Sequence, residues 1–410
     1  MSAAPRSEES LESKKEIGRS DPEMNGHRIF SDKRVFHEDY LPDRILHRDD
    51  QIRKVKEILA DAETGSRPDN ILTTGAFGSG KTLVVKATCR TLPNDCIFVY
   101  LNCSKENTRL RIIRAALRQL GVTTPETGFP GDYYERRFEQ AILQHEFVIL
   151  ALDEVDKFTE RKDSESFELF YMLSRLVSNV TVILLTNRAT FETNFANSMD
   201  ARVRDTFRWI RIEFPDYYSD QLTEIVEDRS RVGLRPTSYD HGICALVAAL
   251  AYSQAGRARG ALALMRKAAQ LAEIYGRSKI EENDVREAAR QLKERQGQEI
   301  IRRLPPIERK ILAHILVSNP TGVAAYRWFV TIAPEHGAAT SLTSFYEYLN
   351  RLETVGLIEK EKHGRGRAKG LDMILHVIPQ IEDDVRLSLE TELEPETPLP
   401  STANVTGNPI

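Results

Sequence analysis

Long apolar runs and abundant cysteine are both missing from this chain of 410 residues. No stretch approaches the roughly 20 apolar residues that cross a bilayer, and residues 1–26 lack the apolar centre of a signal peptide. These absences predict a cytoplasmic protein with no membrane partner. The four cysteines are too few for a disulfide scaffold, and Cys89, Cys96 and Cys103 have no histidine at metal-ligand spacing. We expect them to be buried thiols.

A large excess of one charge is absent too, since the formal net charge is −4. Residues 382–410 carry seven acidic side chains and one Arg, so the rest of the chain is close to +2. The overall charge therefore does not exclude a nucleic-acid partner. Local clusters of basic residues are the better indicator of such a partner.

Composition and periodicity divide the chain into five segments. Apolar runs such as Cys96–Asn102 and Phe147–Glu154 alternate with helical patterns, which indicates a parallel sheet covered by helices. Farther on only helical patterns remain, and then helices precede two short strands. We predict a disordered tail over 1–26, an α/β core over 27–215, an all-helical unit over 216–298, a third domain over 299–380 and a disordered acidic tail over 381–410.

A glycine-rich pattern, G-x-x-x-x-G-K-[ST], lies between a predicted strand and a predicted helix. Its residues and the one after them are Gly75, Ala76, Phe77, Gly78, Ser79, Gly80, Lys81, Thr82 and Leu83. In this context, main-chain N–H groups surround the phosphates of ATP, Lys81 reaches the β- and γ-phosphates and the Thr82 hydroxyl binds Mg²⁺. The alternative is a chance glycine-rich turn, and the flanking strand and helix favour the phosphate site.

Polar side chains follow two later strands. Asp153 and Glu154 end an apolar strand, where Asp153 would lie near the metal and Glu154 would deprotonate a water for attack on the γ-phosphate. Asn187 ends the next strand, and its amide could contact the γ-phosphate or the attacking water. Acids and Asn at strand ends are also common turn formers, so it is their order after the glycine-rich pattern that favours catalysis.

The order of these motifs resembles that of AAA+ ATPases, with Walker A at residues 75–82, Walker B at Asp153 and Glu154, and sensor 1 at Asn187. More closely, residues 28–380 resemble the archaeal replication initiators related to the eukaryotic origin recognition complex and cell-division-control proteins. The segments that carry this resemblance are RVFHEDYLPDRILHRDDQI (34–52), DARVRDTF (200–207) and GRARGALALMRKAAQLAE (256–273). The resemblance implies an α/β AAA+ P-loop core, a small helical lid and a C-terminal winged-helix domain.

Further site residues follow from the resemblance alone. The segment from Tyr40 to Arg48 would line the adenine. Arg202 would be the finger offered to the nucleotide of a neighbouring subunit, with Arg204 as the second candidate, and Arg259 would be the sensor 2 arginine. The resemblance also implies ATP and Mg²⁺ as cofactors and slow ATP hydrolysis that acts as a switch.

A helix followed by two strands is predicted in the third domain. Apolar residues at helical spacing predict its inward side: Leu342, Phe345, Leu349, Leu352 and Val355. The outward residues, which could enter a major groove, are Ser344, Glu347, Tyr348, Asn350 and Arg351. Five cations stand against one acid in residues 360–369: Lys360, Lys362, Arg365, Arg367 and Lys369. Such cations displace counterions from DNA phosphates.

This order resembles a winged-helix domain, in which the initiators carry their main DNA contact. Residues 119–134 resemble the helical insertion of the core with which the initiators also meet DNA. The resemblance implies a nucleoid-associated initiator that binds double-stranded origin DNA, with the replicative helicase and other initiator subunits as partners. Two other functions stay open: an ATP-regulated winged-helix transcription regulator, and a clamp-loader-like ATPase that remodels protein and would not need the basic segment.

Overall fold

The structure is a computed structural model that describes residues 28–93, 96–125, 128–159, 165–176, 178–253, 258–362, 373–378 and 382–389. The chain forms two compact units, divided between residues 288 and 289. The predicted disordered tail 1–26 and the predicted DNA contacts Arg365, Arg367 and Lys369 lie outside the described residues. Within the described part of the chain, none of the helices combines the length and the apolar character needed to span a bilayer.

A five-stranded parallel sheet forms the centre of the first unit, in the order β2-β3-β4-β1-β5. The strands are β1 Asn70–Gly75, β2 Cys96–Asn102, β3 Phe147–Asp153, β4 Val180–Thr186 and β5 Trp209–Phe214. Every residue of β3 and β4 is buried, which explains why these strands read as continuous apolar runs rather than as alternating ones. Because the strands are parallel, the predicted catalytic residues after β3 and β4 lie at the same edge as the end of β1.

Helices cover both faces of this sheet, as the alternating α/β pattern predicts. They are α1 Asp49–Leu59, α2 Lys81–Cys89, α3 Arg109–Gln119, α4 Gly131–Ile142, α5 Asp156–Thr159, α6 Glu165–Ser174, α7 Phe191–Ser198 and α8 Ala201–Thr206. Leu150 and Leu184 point to one face and pack with residues of α3, α4 and α6. Ile149 and Ile183 point to the other and pack with residues of α1 and α2. The predicted α/β core is confirmed.

A helical lid follows the sheet and contains α9 Ser219–Gly233, α10 His241–Ser253, α11 Ala258–Ile274 and the start of α12 Glu282–Arg303. Residues 28–48, the entry segment, begin on this lid. The N–H groups of Ile29 and Phe30 donate to the Glu273 carboxylate (3.0 and 3.2 Å), and the N–H of Ser31 donates to the carbonyl of Gly233 (2.9 Å). The sequence assigned residue 27 onward to the core. The structure instead packs the start of this range on lid helices, through these hydrogen bonds and through buried apolar side chains such as Ile29 and Phe36.

The second unit has the helix and strand order of a winged-helix domain. Its elements are α13 Pro306–Ser318, α14 Gly322–Ile332, α15 Leu342–Thr354, β6 Ile358–Lys362, β7 Met373–Val377 and α16 Glu382–Ser388. Strands β6 and β7 are antiparallel. Phe345, Leu349 and Leu352 of α15 are fully buried, as predicted. Leu342 and Val355 are 40% and 44% exposed, so their prediction as inward residues was wrong, because they lie at the first residue and just past the last residue of the helix.

Helix α16 corrects the predicted start of the acidic tail at residue 381. Val385 and Leu389 are fully buried in the apolar core of the second unit, so the folded chain continues to residue 389. Composition predicted a disordered tail here because acidic residues surround these two apolar side chains and composition is averaged over the whole segment.

A chain that stops after residue 380 is therefore expected to be less stable than the full chain. Burial of a Val or Leu side chain contributes about 1.5–3 kcal/mol, and this truncation removes Val385 and Leu389 together. Thermal unfolding of both chains measures the difference. A chain that stops after residue 389 is the matched control and should unfold at the temperature of the full chain, and equal unfolding temperatures for both truncations would contradict the assignment.

Candidate nucleotide and DNA sites

The predicted P-loop, residues 75–82, joins the end of β1 to the start of α2. Gly78 and Gly80 have positive φ angles of 73° and 91°, which other residues rarely adopt. A Cβ atom on Gly80 would lie 2.9 Å from the hydroxyl oxygen of Tyr217, and one on Gly75 would lie 2.4 Å from the carbonyl oxygen of Phe214. The loop thus needs glycine both for its turn and for its close approach to the end of β5 and to the chain that follows it.

Lys81 brings the P-loop and the predicted sensor together. Its Nζ donates to the carbonyl oxygens of Gly75 (2.8 Å) and Ala76 (2.9 Å) and to Oδ1 of Asn187 (2.9 Å). The N–H of Asn187 and the hydroxyl of Thr186 both donate to Oδ1 of the buried Asp156 (3.3 and 2.8 Å). Asp156 therefore fixes the end of β4, a role that the sequence analysis did not predict.

Asp153 lies at the end of β3, opposite the P-loop, and accepts several hydrogen bonds. Its Oδ2 accepts from the Thr82 hydroxyl (2.6 Å) and from the Tyr100 hydroxyl (2.7 Å), and its Oδ1 accepts from the N–H of Glu154 (2.8 Å). A hydroxyl and a carboxylate at this distance are oxygen ligands of the kind that Mg²⁺ takes beside phosphates and water. The two residues predicted to hold the metal are therefore neighbours, and their chemistry fits the ion.

Tyr100 is a second residue that the sequence analysis missed. It lies on β2, next to β3, and Lys86 Nζ lies 3.8 Å from the centre of its ring. The side chain of Gln119 pairs with the main chain of Tyr100 in both directions, at 3.0 and 2.7 Å, and so covers the sheet edge. Burial, followed by the nearby Asp153 carboxylate, raises the pKa of Tyr100, so its hydroxyl keeps its proton and stays a donor.

A cleft of about 1110 Å³ opens above these groups. It is lined by residues of the P-loop, the entry segment and the lid. The predicted site residues in its lining are Tyr40, Phe77, Gly78, Ser79, Gly80, Lys81, Thr82, Leu83, Asp153, Glu154, Asn187 and Arg259. Glu154 lies directly after β3 and has a φ angle of 52°. A positive φ is uncommon for a residue other than glycine.

Arginines from the lid reach this cleft. The guanidinium of Arg229 donates to the carbonyl of Val35 (3.2 Å) and lies 4.8 Å from the ring centre of Tyr40. Burial lowers the pKa of Arg229. Arg259 lies 4.9 Å from the ring centre of Phe77 and 3.5 Å from the Glu38 carboxylate. It therefore contacts both the P-loop and the entry segment.

The other predicted arginines occupy different positions. Arg48 was predicted to line the cleft, but the structure places it elsewhere. Its side chain is 2% exposed and lies behind the P-loop, where it donates to the carbonyl of Ser79. Arg204 is exposed on α8, and the side chain of Arg202 on the same helix lies outside the described part of the structure. The role of either as a finger stays a prediction.

The residues predicted to contact DNA are partly engaged within the second unit. Lys360 Nζ donates to Oδ1 of Asn350 (2.6 Å) and to the Glu353 carboxylate (2.7 Å) and joins β6 to α15. Arg351 is 56% exposed but forms an ion pair of 2.7 Å with the buried Glu308. Burial raises the pKa of Glu308, and the pair with Arg351 offsets this only in part.

Some of the remaining predicted DNA contacts lie within the described part of the structure and others do not. Ser344 lies in the first turn of α15, where its hydroxyl is 2.9 Å from that of Ser341. The side chain of Lys362 lies outside the described part. In the predicted insertion of the core, α3 ends at Gln119 and α4 begins at Gly131. The exposed Phe129 packs against Tyr133 with 4.5 Å between ring centres and 30° between the ring planes. Contact of these groups with DNA stays a prediction.

Known proteins resemble this chain in sequence and in fold. Two family models match it, a Cdc6 AAA+ ATPase-type lid domain over residues 223–290 and an AAA domain over residues 64–193. The chain is 31% identical to the ORC1-type DNA replication protein 1 of Sulfolobus acidocaldarius, over 83% of this chain and 88% of that protein. It is 30% identical to the protein of the same name in Methanothermobacter thermautotrophicus, over 85% and 93%. Its fold matches the Aeropyrum pernix ORC1 protein in complex with DNA, with a TM-score of 0.74, 26% identity, and 89% of this chain and 97% of that one covered.

Proposed function

The chain belongs to the ORC1-type DNA replication proteins, and from this premise we propose that it is an initiator in which bound ATP controls the grip on origin DNA. The resemblance inferred from its motifs is confirmed, and so is its assignment as an AAA+ ATPase. One observation carries the proposed switch. The cleft around Lys81 is lined by the P-loop and by lid residues together, so a ligand there would contact both.

The proposed site hydrolyses ATP by a positioned water. The N–H groups of the P-loop and Lys81 bind the phosphates, as glycine-rich loops before a helix do. Glu154 takes a proton from the water as the water oxygen attacks the γ-phosphorus and the bond to the β-phosphate oxygen breaks. Asn187, held by Asp156 and Lys81, orients that water. Thr82 and Asp153 would hold Mg²⁺, whose contribution when bound is to neutralise phosphate charge.

Replacing Tyr100 with Phe is expected to raise the half-saturating Mg²⁺ concentration for ATP hydrolysis by about tenfold, because partners of metal-ligating carboxylates have effects of this size. The variant removes only the donor to Asp153 and keeps the ring beside Lys86. Hydrolysis rates across a Mg²⁺ titration measure it. Tyr252→Phe, at a tyrosine that is 53% exposed on the lid, is the matched control. An unchanged Mg²⁺ dependence in Tyr100→Phe would refute the role.

The proposed DNA partner is double-stranded origin DNA. The replicative helicase and other initiator subunits are the proposed further partners, and the protein is proposed to be associated with the DNA of the cell. Family membership supports this proposal, since the related Aeropyrum pernix protein is described in complex with DNA. Four cations of the segment 360–369, namely Lys362, Arg365, Arg367 and Lys369, suit contacts to phosphates, whereas Lys360 is bound by Asn350 and Glu353. Within the described part of the second unit, Arg351 is a proposed base or phosphate contact, because it is exposed on α15 and is held by Glu308 and by Tyr348 at 4.9 Å.

Selection from the cell's own genome tests the function. Purified protein is mixed with genomic fragments and either ATP or ADP, and the bound fragments are sequenced, with Lys81→Ala as the nucleotide control. Enrichment of a few repeat-bearing intergenic fragments that changes between ATP and ADP would support the initiator. Enrichment at many promoters would replace it with the transcription regulator. Intact ATP hydrolysis with no DNA preference would replace both with an ATPase that remodels protein.

A further inference from the structure

Arg48 has a buried side chain that joins three separate segments of the first unit. Its Nε donates to the carbonyl of Ser79 in the P-loop (2.9 Å), and its Nη1 donates to the carbonyl of His47 in the entry segment (2.7 Å). Its Nη2 donates to the carbonyl of Pro215 (2.7 Å), which lies between β5 and the first lid helix, α9. Burial lowers the pKa of Arg48. A guanidinium is a planar fork, so these three acceptors have a fixed mutual geometry.

Tyr217 continues this connection into the lid. The guanidinium carbon of Arg48 lies 3.7 Å from the ring centre of Tyr217, a cation–π contact. The ring is 5% exposed and packs with Leu222 and Ile225 of α9 and with Ala248 of α10. The Tyr217 hydroxyl lies so close to Gly80 that a Cβ on this glycine would be only 2.9 Å away. One side chain thus touches both the phosphate loop and the lid core.

We propose that Arg48 and Tyr217 are positioning residues that transmit nucleotide binding at the P-loop to the lid. The inference rests on the proposed binding of ATP. Phosphates that engage the N–H groups of the loop shift the peptide units of Ser79 and Gly80. The fork of Arg48 can then keep its hydrogen bonds only if Pro215 and Tyr217 move with the loop. Because Tyr217 is part of the lid core, α9 and α10 follow.

A second contact places the entry segment in the same connection. Nε2 of His47 lies 3.0 Å from the Glu224 carboxylate of α9, and the carbonyl of His47 is one of the acceptors of Arg48. His47 also has a positive φ of 58°, so its backbone is held in an uncommon conformation at this junction. The entry segment therefore moves with the lid rather than with the P-loop alone.

Hydrogen exchange of the lid helices α9 and α10, with and without saturating ATP, tests the proposal. The variants are Arg48→Lys, which keeps the charge but loses the fork, and Tyr217→Leu, which loses the ring. Tyr217→Phe keeps the ring and its contact with Arg48 but loses the hydroxyl beside Gly80, and Arg53→Lys alters an exposed arginine of α1 as the control. We expect ATP to slow exchange in the wild type, in Arg53→Lys and in Tyr217→Phe, because the contact between the ring and Arg48 carries the connection to the loop. Arg48→Lys and Tyr217→Leu should each keep less than about a third of this slowing at saturating ATP. The double variant should lose no more of the slowing than the more affected single variant, because residues that act together are not additive.

Each outcome of this experiment either supports or overturns the proposal. Full ATP-dependent slowing in Arg48→Lys would overturn the proposal, and so would a wild-type lid that does not respond although ATP binds. Loss of the response in Tyr217→Phe equal to that in Tyr217→Leu would remove the ring contact from the explanation. If Tyr217→Leu does not fold, the comparison of Arg48→Lys with Arg53→Lys decides by itself. Failure of the wild type to bind ATP would instead refute the proposed function, so the two failures are distinguishable.

Discussion

Glu154→Gln is expected to lower the rate of ATP hydrolysis by about 10²- to 10⁴-fold, the usual contribution of a general base, while ATP binding stays close to that of the wild type. Glu154 lines the cleft directly after β3, and its N–H, rather than its carboxylate, is bound to Asp153. Glutamine keeps the length of the side chain and its backbone contact but cannot accept the proton. Single-turnover hydrolysis and equilibrium binding of ATP measure the two effects separately.

The control for this prediction is Glu146→Gln, which neutralises an exposed glutamate just before β3 and should leave both quantities unchanged. Hydrolysis by Glu154→Gln at the wild-type rate would place the base elsewhere. A loss of ATP binding that equals the loss of rate would mean that Glu154 acts on affinity and not on the chemical step.

The parts of the nucleotide site that the sequence predicted share one physical origin. Parallel strands have their carboxyl ends at one edge of a sheet, so residues at or just after the ends of β1, β3 and β4 lie along that edge. This rule places Asp153 at the end of β3, Asn187 after β4 and the P-loop after β1, and Lys81 of that loop contacts Asn187 at 2.9 Å. The P-loop and the two strand ends were therefore predictable from motif order alone.

Tyr100, Asp156 and Arg48 could not be assigned in the same way. Tyr100 lies inside a strand, and its contact with Asp153 depends on the register between β2 and β3, which pairs Tyr100 with Ala151. Asp156 looks like a third surface acid after Asp153 and Glu154, yet it is 2% exposed. Arg48 was expected beside the adenine by resemblance and instead supports the P-loop from behind. Burial of a polar side chain depends on tertiary packing, which spacing in the sequence does not encode.

The second unit shows the same division between pattern and partner. Helical periodicity located the buried residues Phe345, Leu349 and Leu352, because apolar spacing reports the inward face directly. It did not show that Lys360 is bound by Asn350 and Glu353, or that Arg351 pairs with Glu308, which is distant in sequence. A basic residue in an outward position is thus not in itself a DNA contact. Arg351 keeps its exposed fraction despite its pair, whereas Lys360 is only 15% exposed.

Lys81→Ala is expected to raise the Kd for ATP by about 10- to 150-fold, which corresponds to about 1.5–3 kcal/mol for a hydrogen bond to a charged group. The Nζ of Lys81 is held at the P-loop by two carbonyl oxygens and by Asn187, so it is already oriented at the place where the phosphates would bind. The substitution also releases the side chain of Asn187. We therefore expect hydrolysis at saturating ATP to fall as well, in contrast to a change that affects affinity alone.

Two further variants separate charge from geometry at this position. Lys54→Ala removes an exposed lysine of α1 and should leave the Kd unchanged, which excludes an effect of net charge. Lys81→Arg keeps the charge, but its planar fork cannot reproduce the contacts of a compact ammonium group, so its Kd should lie between those of the wild type and Lys81→Ala. Calorimetric titration with ATP measures all four proteins. Wild-type affinity in Lys81→Ala would contradict the P-loop assignment itself, because no other side chain of the loop can supply a positive charge to the phosphates.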